Sequence, residues 1–270
     1  YKMRAPIFAG PVGAVKSHYS DKYSDMEYNK IMLEQMNEDG LLAFTGDGKN
    51  ESVMIEACEA LARIYGRGIP TIKPWDINTM KQKIDLVKKA NCIAIACDID
   101  ASGLPSLKNN NPPAGAKATK ELKEIIKYAK KPFIIKGIMT VNGALKAVDA
   151  GASAIVVSNH GGRVLDDAMP TALVLPQIVK AVAGKCLVFV DGGIRSGADI
   201  FKALALGADG VLIARPYAVA LYGGEKEGIH AYNEKLISEL EDVMLMAGAR
   251  SIKDIRPEMI TKINLWFFFL

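Results

Sequence analysis

Short apolar runs alternate with amphipathic, lysine-rich segments along nearly the whole chain. The runs are APIFAGPV around Pro6, LLAFTG from Leu41, GIPTIKP from Gly68 and CIAIACD from Cys92. They continue with PFIIKG from Pro132, AIVVSNH from Ala154, CLVFVDGG from Cys186 and GVLIARP from Gly210. Continuous apolarity over so few residues predicts parallel strands buried on both faces. Between the runs the period changes. Leu122, Ile125, Ile126 and Ala129 recur at helical spacing with Lys and Glu between them, and Met80, Ile84 and Val87 do the same one unit earlier. Ser24 with Glu27 three residues on has the form of a capping box, and Ser196 is a natural N-cap for GADIFKALALGA.

Eight such β-then-α units in roughly 250 residues predict an α/β fold, a single-domain TIM (β/α)8 barrel over residues 1–270. A doubly wound sheet is the competitor. It would carry a glycine fingerprint after its first strand, which GPVGAV matches poorly. The longest polar connection, residues 98–118, follows strand 4. Its Asn, Pro and Gly content opposes a helix through most of it, and a mobile loop over one face of the barrel is expected.

Composition narrows the picture. Half the residues are hydrophobic, so the core can be large, and the net charge is only +4 with the lysines scattered. A nucleic-acid partner would need a concentrated basic stripe, so none is expected. No stretch approaches the roughly 20 apolar residues of a membrane span. The tail WFFFL is expected to pack on the domain or on a neighbouring subunit. Cys58, Cys92, Cys97 and Cys186 lack metal-ligand spacing, so no metal site is expected; they read as reduced, buried thiols of a cytoplasmic protein. The chain starts at Tyr1 and enters its first strand almost at once, which suggests a preceding segment in the natural protein.

Barrel chemistry sits at the C-terminal ends of the strands. Those ends read Thr45, Lys73, Asp98, Lys136, His160 with Arg163, Asp191 with Arg195, and Arg215. After strands 7 and 8, Gly192 and Gly193 would let backbone N–H groups approach a phosphate, while Arg195 and Arg215 supply charge. A tight turn with two solvated arginines is the plain alternative. Lys136 ends an otherwise apolar strand, and a lysine there could also form a Schiff base with a carbonyl substrate. His160 could be a structural histidine, but Asp98 offers it a carboxylate, as a general base needs.

The stretches IIKGIMT, SNHGGRVLD, DGGIRSGADIFKALALGA and IARP resemble the FMN-dependent α-hydroxy-acid oxidase and dehydrogenase family, which includes glycolate and lactate oxidases. The resemblance is dense from about Pro132 to Gly224. It implies a TIM barrel holding FMN over the strand ends, and oxidation of a small L-2-hydroxy acid to the 2-oxo acid. By motif, Lys136 would sit beside the flavin pyrimidine and Ser158 at the ring edge. The backbone of Pro11, Val12 and Gly13 would line the flavin face. Asp191, Gly192, Gly193, Arg195, Ala214 and Arg215 would hold the ribityl phosphate. Thr45, Lys73 and Gly161 complete the expected cofactor contacts, with His160 and Arg163 reaching the same space. His160 would be the general base, Arg163 would pair with the substrate carboxylate, and Asp98 would orient His160. The resemblance also implies a homo-oligomer, a tetramer or larger.

Departures fall on the substrate side. TIKPW stands where the family has Gln-Leu-Tyr, which puts Lys73 near the glutamine and Trp75 near the tyrosine. Ala96 stands for a threonine, and Pro105 stands about where a second carboxylate-binding arginine is usual. Three other readings therefore stay open: a flavin enzyme of the type 2 isopentenyl-diphosphate isomerase kind, an FMN-binding barrel without turnover, and a Schiff-base aldolase acting through Lys136.

Overall fold

Each of the eight apolar runs forms a strand in the computed structural model, which describes residues 2–104, 107 and 114–261. They are β1 (Ile7–Ala9), β2 (Leu42–Thr45), β3 (Ile69–Ile72), β4 (Ile95–Asp98), β5 (Phe133–Ile138), β6 (Ala154–Val157), β7 (Leu187–Val190) and β8 (Gly210–Ile213). Every neighbouring pair is parallel, and β1 pairs with both β2 and β8, for example through Phe8 with Leu42 and Leu212. The sheet is a closed barrel in strict chain order, the expected TIM architecture.

Period-two alternation sorts the strand side chains into two cores. Phe8, Leu42, Phe44, Ile69, Ala94, Ala96, Ile134, Ala154, Val156, Phe189 and Leu212 pack together inside the barrel. Phe8 lies edge-on to Phe44 and tilted against Phe189. The alternate residues, such as Ile7, Ala43, Ile135, Ile155 and Val190, join the larger core between sheet and helices.

The helices α1 (Val15–His18), α2 (Asp25–Glu38), α3 (Glu51–Arg63), α4 (Ile77–Lys89), α5 (Thr119–Ala129), α6 (Val141–Asp149), α7 (Thr171–Val182), α8 (Gly197–Ala205) and α9 (Arg215–Ala247) surround the sheet. The capping box at Ser24 and the cap at Ser196 both form. In α4, Met80, Ile84 and Val87 are buried as their spacing requires, and Lys83 is buried among them. The last helix, α9, starts at Arg215 directly after β8 and is broken at Gly224 and Glu225, the latter with φ 49°.

The loop after β4 begins as a 3-10 turn over Ile99–Gly103, and Leu107 and Ala114 are buried in the outer core. Gly115 N–H bonds the Pro74 carbonyl, which ties the end of the loop to β3. Of the loop 98–118, expected to be mobile, residues 105–106, Pro105 included, and 108–113 lie outside the described residues, as does the WFFFL tail. All four cysteines are free thiols, and burial pushes Cys58 up to about 12 and Cys92 to about 11. Among the described residues no helix is long and apolar enough to cross a membrane.

Candidate active site

The alternation that fills the barrel with Phe and Ile also decides which polar residues crown it. Two residues beyond the inward Ala96, Ile134, Val156 and Phe189 come Asp98, Lys136, Ser158 and Asp191, and Lys73 follows Ile69 in the same phase, so these groups stand on or just past β3, β4, β5, β6 and β7. These groups share the C-terminal mouth of the barrel, under a cleft of about 580 Å³. Thr45 has the opposite parity to Phe44. It is buried away from the cleft, and its hydroxyl has no hydrogen-bond partner.

Asp98 is the hub of the floor. It is 2% exposed, its Oδ2 accepts from Lys73 Nζ at 2.7 Å, and its Oδ1 accepts from Lys136 Nζ at 3.2 Å. Burial alone would raise this carboxyl; Lys136, Lys73 and His160 outweigh it and hold Asp98 well below the usual carboxylate range. Burial likewise favours a neutral Lys136, but Asp98, Asp191 and Asp100 keep its ammonium charged far above neutral pH. Lys136 also donates to Ser158 Oγ at 3.0 Å and lies 3.5 Å from Asp191 Oδ2. Ser158 is fully buried beneath the cleft rather than in its wall, and its Oγ also accepts the His160 N–H at 3.2 Å.

His160 lines the cleft from a left-handed backbone position, φ 57°, at the start of a short 3-10 turn. Its Nδ1 lies 3.2 Å from Asp100 Oδ1 and 3.5 Å from Asp98 Oδ1. Gly161 and Arg163 follow His160 into the cleft wall. Pro11, Val12 and Gly13 form another wall, and Asp191, Gly192, Gly193, Arg195, Ala214 and Arg215 form a third. Thus Thr45 and Ser158 stand behind the cleft, and every other residue expected to be catalytic or to hold the cofactor lines it.

The third wall has the properties of an anion cradle. Gly192 and Gly193 adopt φ 90° and 82°, and open space lies where a side chain on Gly193 would point. Beside them Asp191 Oδ1 is buried with no hydrogen-bond partner, an acceptor available to a hydroxyl. Two arginines, Arg195 and Arg215, complete the wall.

Several cleft or near-cleft residues escaped the sequence reading, His18 among them. Asp47 lies at the end of β2 and Thr71 inside β3, and both line the cleft. Tyr19, after α1, also lines it; burial raises its hydroxyl, and the nearby charges of Arg163 and Arg215 oppose that. Asp100 stands two residues past Asp98, and the Asp-Ile-Asp spacing was the one available signal for it. Trp75, expected near the substrate, is instead buried, with its Nε1 donating to Asp47 Oδ2 at 2.7 Å. Asp98, Asp100 and His160 could approach one cation together. However, the ammonium groups of Lys73 and Lys136 already occupy both Asp98 oxygens, which weighs against a metal there.

Comparison with known proteins identifies the family. The family model described as FMN-dependent dehydrogenase matches residues 108–262. The chain belongs to this family. A 4-hydroxymandelate oxidase from Amycolatopsis orientalis is 49% identical over 138 residues, 51% of this chain and 39% of that protein. An L-lactate oxidase from Roseobacter sp. is 43% identical over 141 residues, 52% of this chain and 38% of the relative. The matches thus span well under half the length of these curated relatives of the FMN-dependent dehydrogenase family. Similarity to solved structures extends further along the chain. A mandelate oxidase covers 95% of this chain and 78% of its own at 30% identity and a TM-score of 0.80. A lactate oxidase from Pediococcus acidilactici covers 94% and 75% at 29% identity, also with a TM-score of 0.80.

Proposed function

We propose that this chain is the FMN-binding barrel of an oxidoreductase that converts a small L-2-hydroxy acid to the 2-oxo acid. One observation carries the reading: a histidine whose Nδ1 is held by carboxylates shares a cleft with Arg163 and with a glycine–arginine cradle.

The residues present suit FMN. The cleft volume lies in the range of cofactor pockets. Gly192, Gly193, Arg195, Ala214 and Arg215 would hold the phosphate, and Asp191 Oδ1 would accept from a ribityl hydroxyl. Lys136 and the backbone of Pro11, Val12 and Gly13 would face the ring. When bound, FMN supplies an acceptor for two electrons.

The protein's own part is proton handling and orientation. Arg163 pairs with the substrate carboxylate through two parallel hydrogen bonds and fixes the α-carbon beside His160. His160 takes one proton at Nε2 from the carbinol centre. That proton comes from the hydroxyl if the α-hydrogen leaves as hydride, or from the α-carbon if the electrons leave separately. In both cases the substrate loses two electrons and two protons overall and becomes the 2-oxo acid. The carboxylates behind His160 stabilise the imidazolium, and the ammonium of Lys136 favours negative charge developing above the floor.

The Schiff-base reading fits less well. An amine nucleophile must be neutral, and Lys136 is held as an ammonium by three carboxylates. Homo-oligomerisation, the other expectation, has support in the exposed Leu165, Met169 and Leu173 at and before the start of α7; sedimentation of the pure protein tests it.

The deciding experiment is anaerobic mixing of the FMN-loaded protein with a panel of L-2-hydroxy acids. At least one should bleach the visible absorbance of the oxidised flavin. The His160→Ala variant should retain FMN and lose about 100-fold or more of the bleaching rate. A protein that binds no FMN, or FMN that no 2-hydroxy acid reduces, would sink the proposal.

A further inference from the structure

We infer that Asp100, rather than Asp98, is the positioning residue that fixes the His160 imidazole with its proton on Nδ1. The inference rests on the proposed oxidation for its use, but its geometry stands alone.

The two aspartates share one neighbourhood and have different tasks. Asp98 spends both oxygens on ammonium groups, Lys73 on Oδ2 and Lys136 on Oδ1. His160 Nδ1 is its most distant partner, at 3.5 Å. Asp100 has His160 as its near partner, Oδ1 to Nδ1 at 3.2 Å, and its Oδ2 is buried with no hydrogen-bond partner. The barrel makes a place for this carboxylate. Gly137 of β5 has φ 102°, and a Cβ there would come within 2.7 Å of Asp100 Cβ, Cγ and Oδ1. Asp100 therefore lies against the bare backbone of the strand that also carries Lys136.

A histidine that accepts a proton at Nε2 must carry its resting proton on Nδ1, and the partner of Nδ1 decides the tautomer. Asp100 Oδ1 accepts that N–H. Once His160 is protonated at Nε2, the same carboxylate faces an imidazolium. The charged and titratable groups around Asp100 are Asp98 on β4, Lys136 on β5, His160 after β6 and, through Asp98, Lys73 after β3. Burial raises Asp100 from its ordinary value; the His160 hydrogen bond opposes this, and the charge and hydrogen bonding of Asp98 add to it. Protonation of Asp100 removes the acceptor, so substrate-driven flavin reduction should fall on the acid side as Asp100 takes up its proton.

The chain has three histidines, so ring 15N NMR of the histidine-labelled protein can follow His160 directly without flavin or substrate. The wild type should show neutral His160 as the Nδ1–H tautomer, and Asp100→Ala should move it towards Nε2–H. Asp98→Asn should leave the tautomer as it is in the wild type. In the FMN-loaded protein, Asp100→Asn should slow flavin reduction by on the order of 10- to 100-fold and abolish the acid limb. Asp100→Glu, which keeps the charge, should recover part of the rate. An Nε2–H tautomer in the wild type overturns the inference even if the alanine variant does not fold. So does a tautomer that responds to Asp98→Asn and not to Asp100→Ala. If the tautomer shifts as expected but no 2-hydroxy acid bleaches the flavin, the proposed reaction fails and the positioning role stands.

Discussion

Asp47 accepts four hydrogen bonds: Gly48 N–H at 2.9 Å, Lys73 N–H at 3.0 Å, Trp75 Nε1 at 2.7 Å and Lys83 Nζ at 2.8 Å. The carboxylate is buried, and so are Trp75 and Lys83. Asp47 thus locks the end of β3, and with it the backbone from which Lys73 reaches Asp98. Removing one partner of a buried ion pair leaves the other charge without compensation, so Asp47→Ala should destabilise the fold by about 3–5 kcal/mol. Urea denaturation followed by circular dichroism checks this; a loss below about 1 kcal/mol would mean that water replaces the carboxylate. None of this was legible in the sequence, where Trp75 looked like a substrate contact. Asp47, Trp75 and Lys83 come from the ends of two strands and the middle of a helix, and only closure of the barrel brings them together. A lysine within the apolar stripe of α4 was the one local oddity that pointed to a buried partner.

Alternation within elements was legible, and it carried most of the candidate site. Inward apolar residues of β3, β4, β5 and β7 fix the parity of Lys73, Asp98, Lys136 and Asp191, so naming the strands came close to naming the floor. Thr45 lay one residue out of phase and fell outside it. How the last helix closes the outer layer was not legible. In α9, His230 Nδ1 bonds Asp39 Oδ1 at 2.7 Å, Asn233 donates to Asp39 Oδ2 at 2.6 Å, and Arg4 pairs with Glu234. The contact ties α9 to the end of α2. The Asp39 hydrogen bond and charge raise His230 above its ordinary value of 6.5. A group raised on folding contributes stability fully below its unfolded pKa and loses it as pH rises through the folded value. The contribution should therefore fade from about pH 6.5 upward. Melting temperatures across neutral pH should decline for the wild type and show a flatter course in His230→Gln. Equal slopes in both proteins would show that His230 does not set this dependence.

For the whole molecule, the stable end and the reactive end are separate. Phenylalanines, alanines and branched residues fill the barrel, while five cationic side chains converge at its mouth: Lys73, Lys136, Arg163, Arg195 and Arg215. Three carboxylates, Asp47, Asp98 and Asp191, face them in the same cleft. Asp47 is engaged by Lys83 from behind, so an anion entering the cleft meets uncompensated positive charge at the arginine wall. A bound phosphate would offset that repulsion and stabilise the folded state over the unfolded one. At free FMN about 100 times its dissociation constant the gain is about 2.7 kcal/mol, which for a chain of this size is a rise in Tm of about 5 °C. Riboflavin, which lacks the phosphate, should raise Tm clearly less at the same concentration. Arg215→Ala should narrow the gap between the two ligands, because the extra stabilisation by FMN comes from the phosphate meeting that wall. Melting curves by circular dichroism measure both differences. Equal shifts for FMN and riboflavin in the unaltered protein would remove the glycine–arginine wall from the phosphate site and leave the flavin held by the floor and the β1 loop alone.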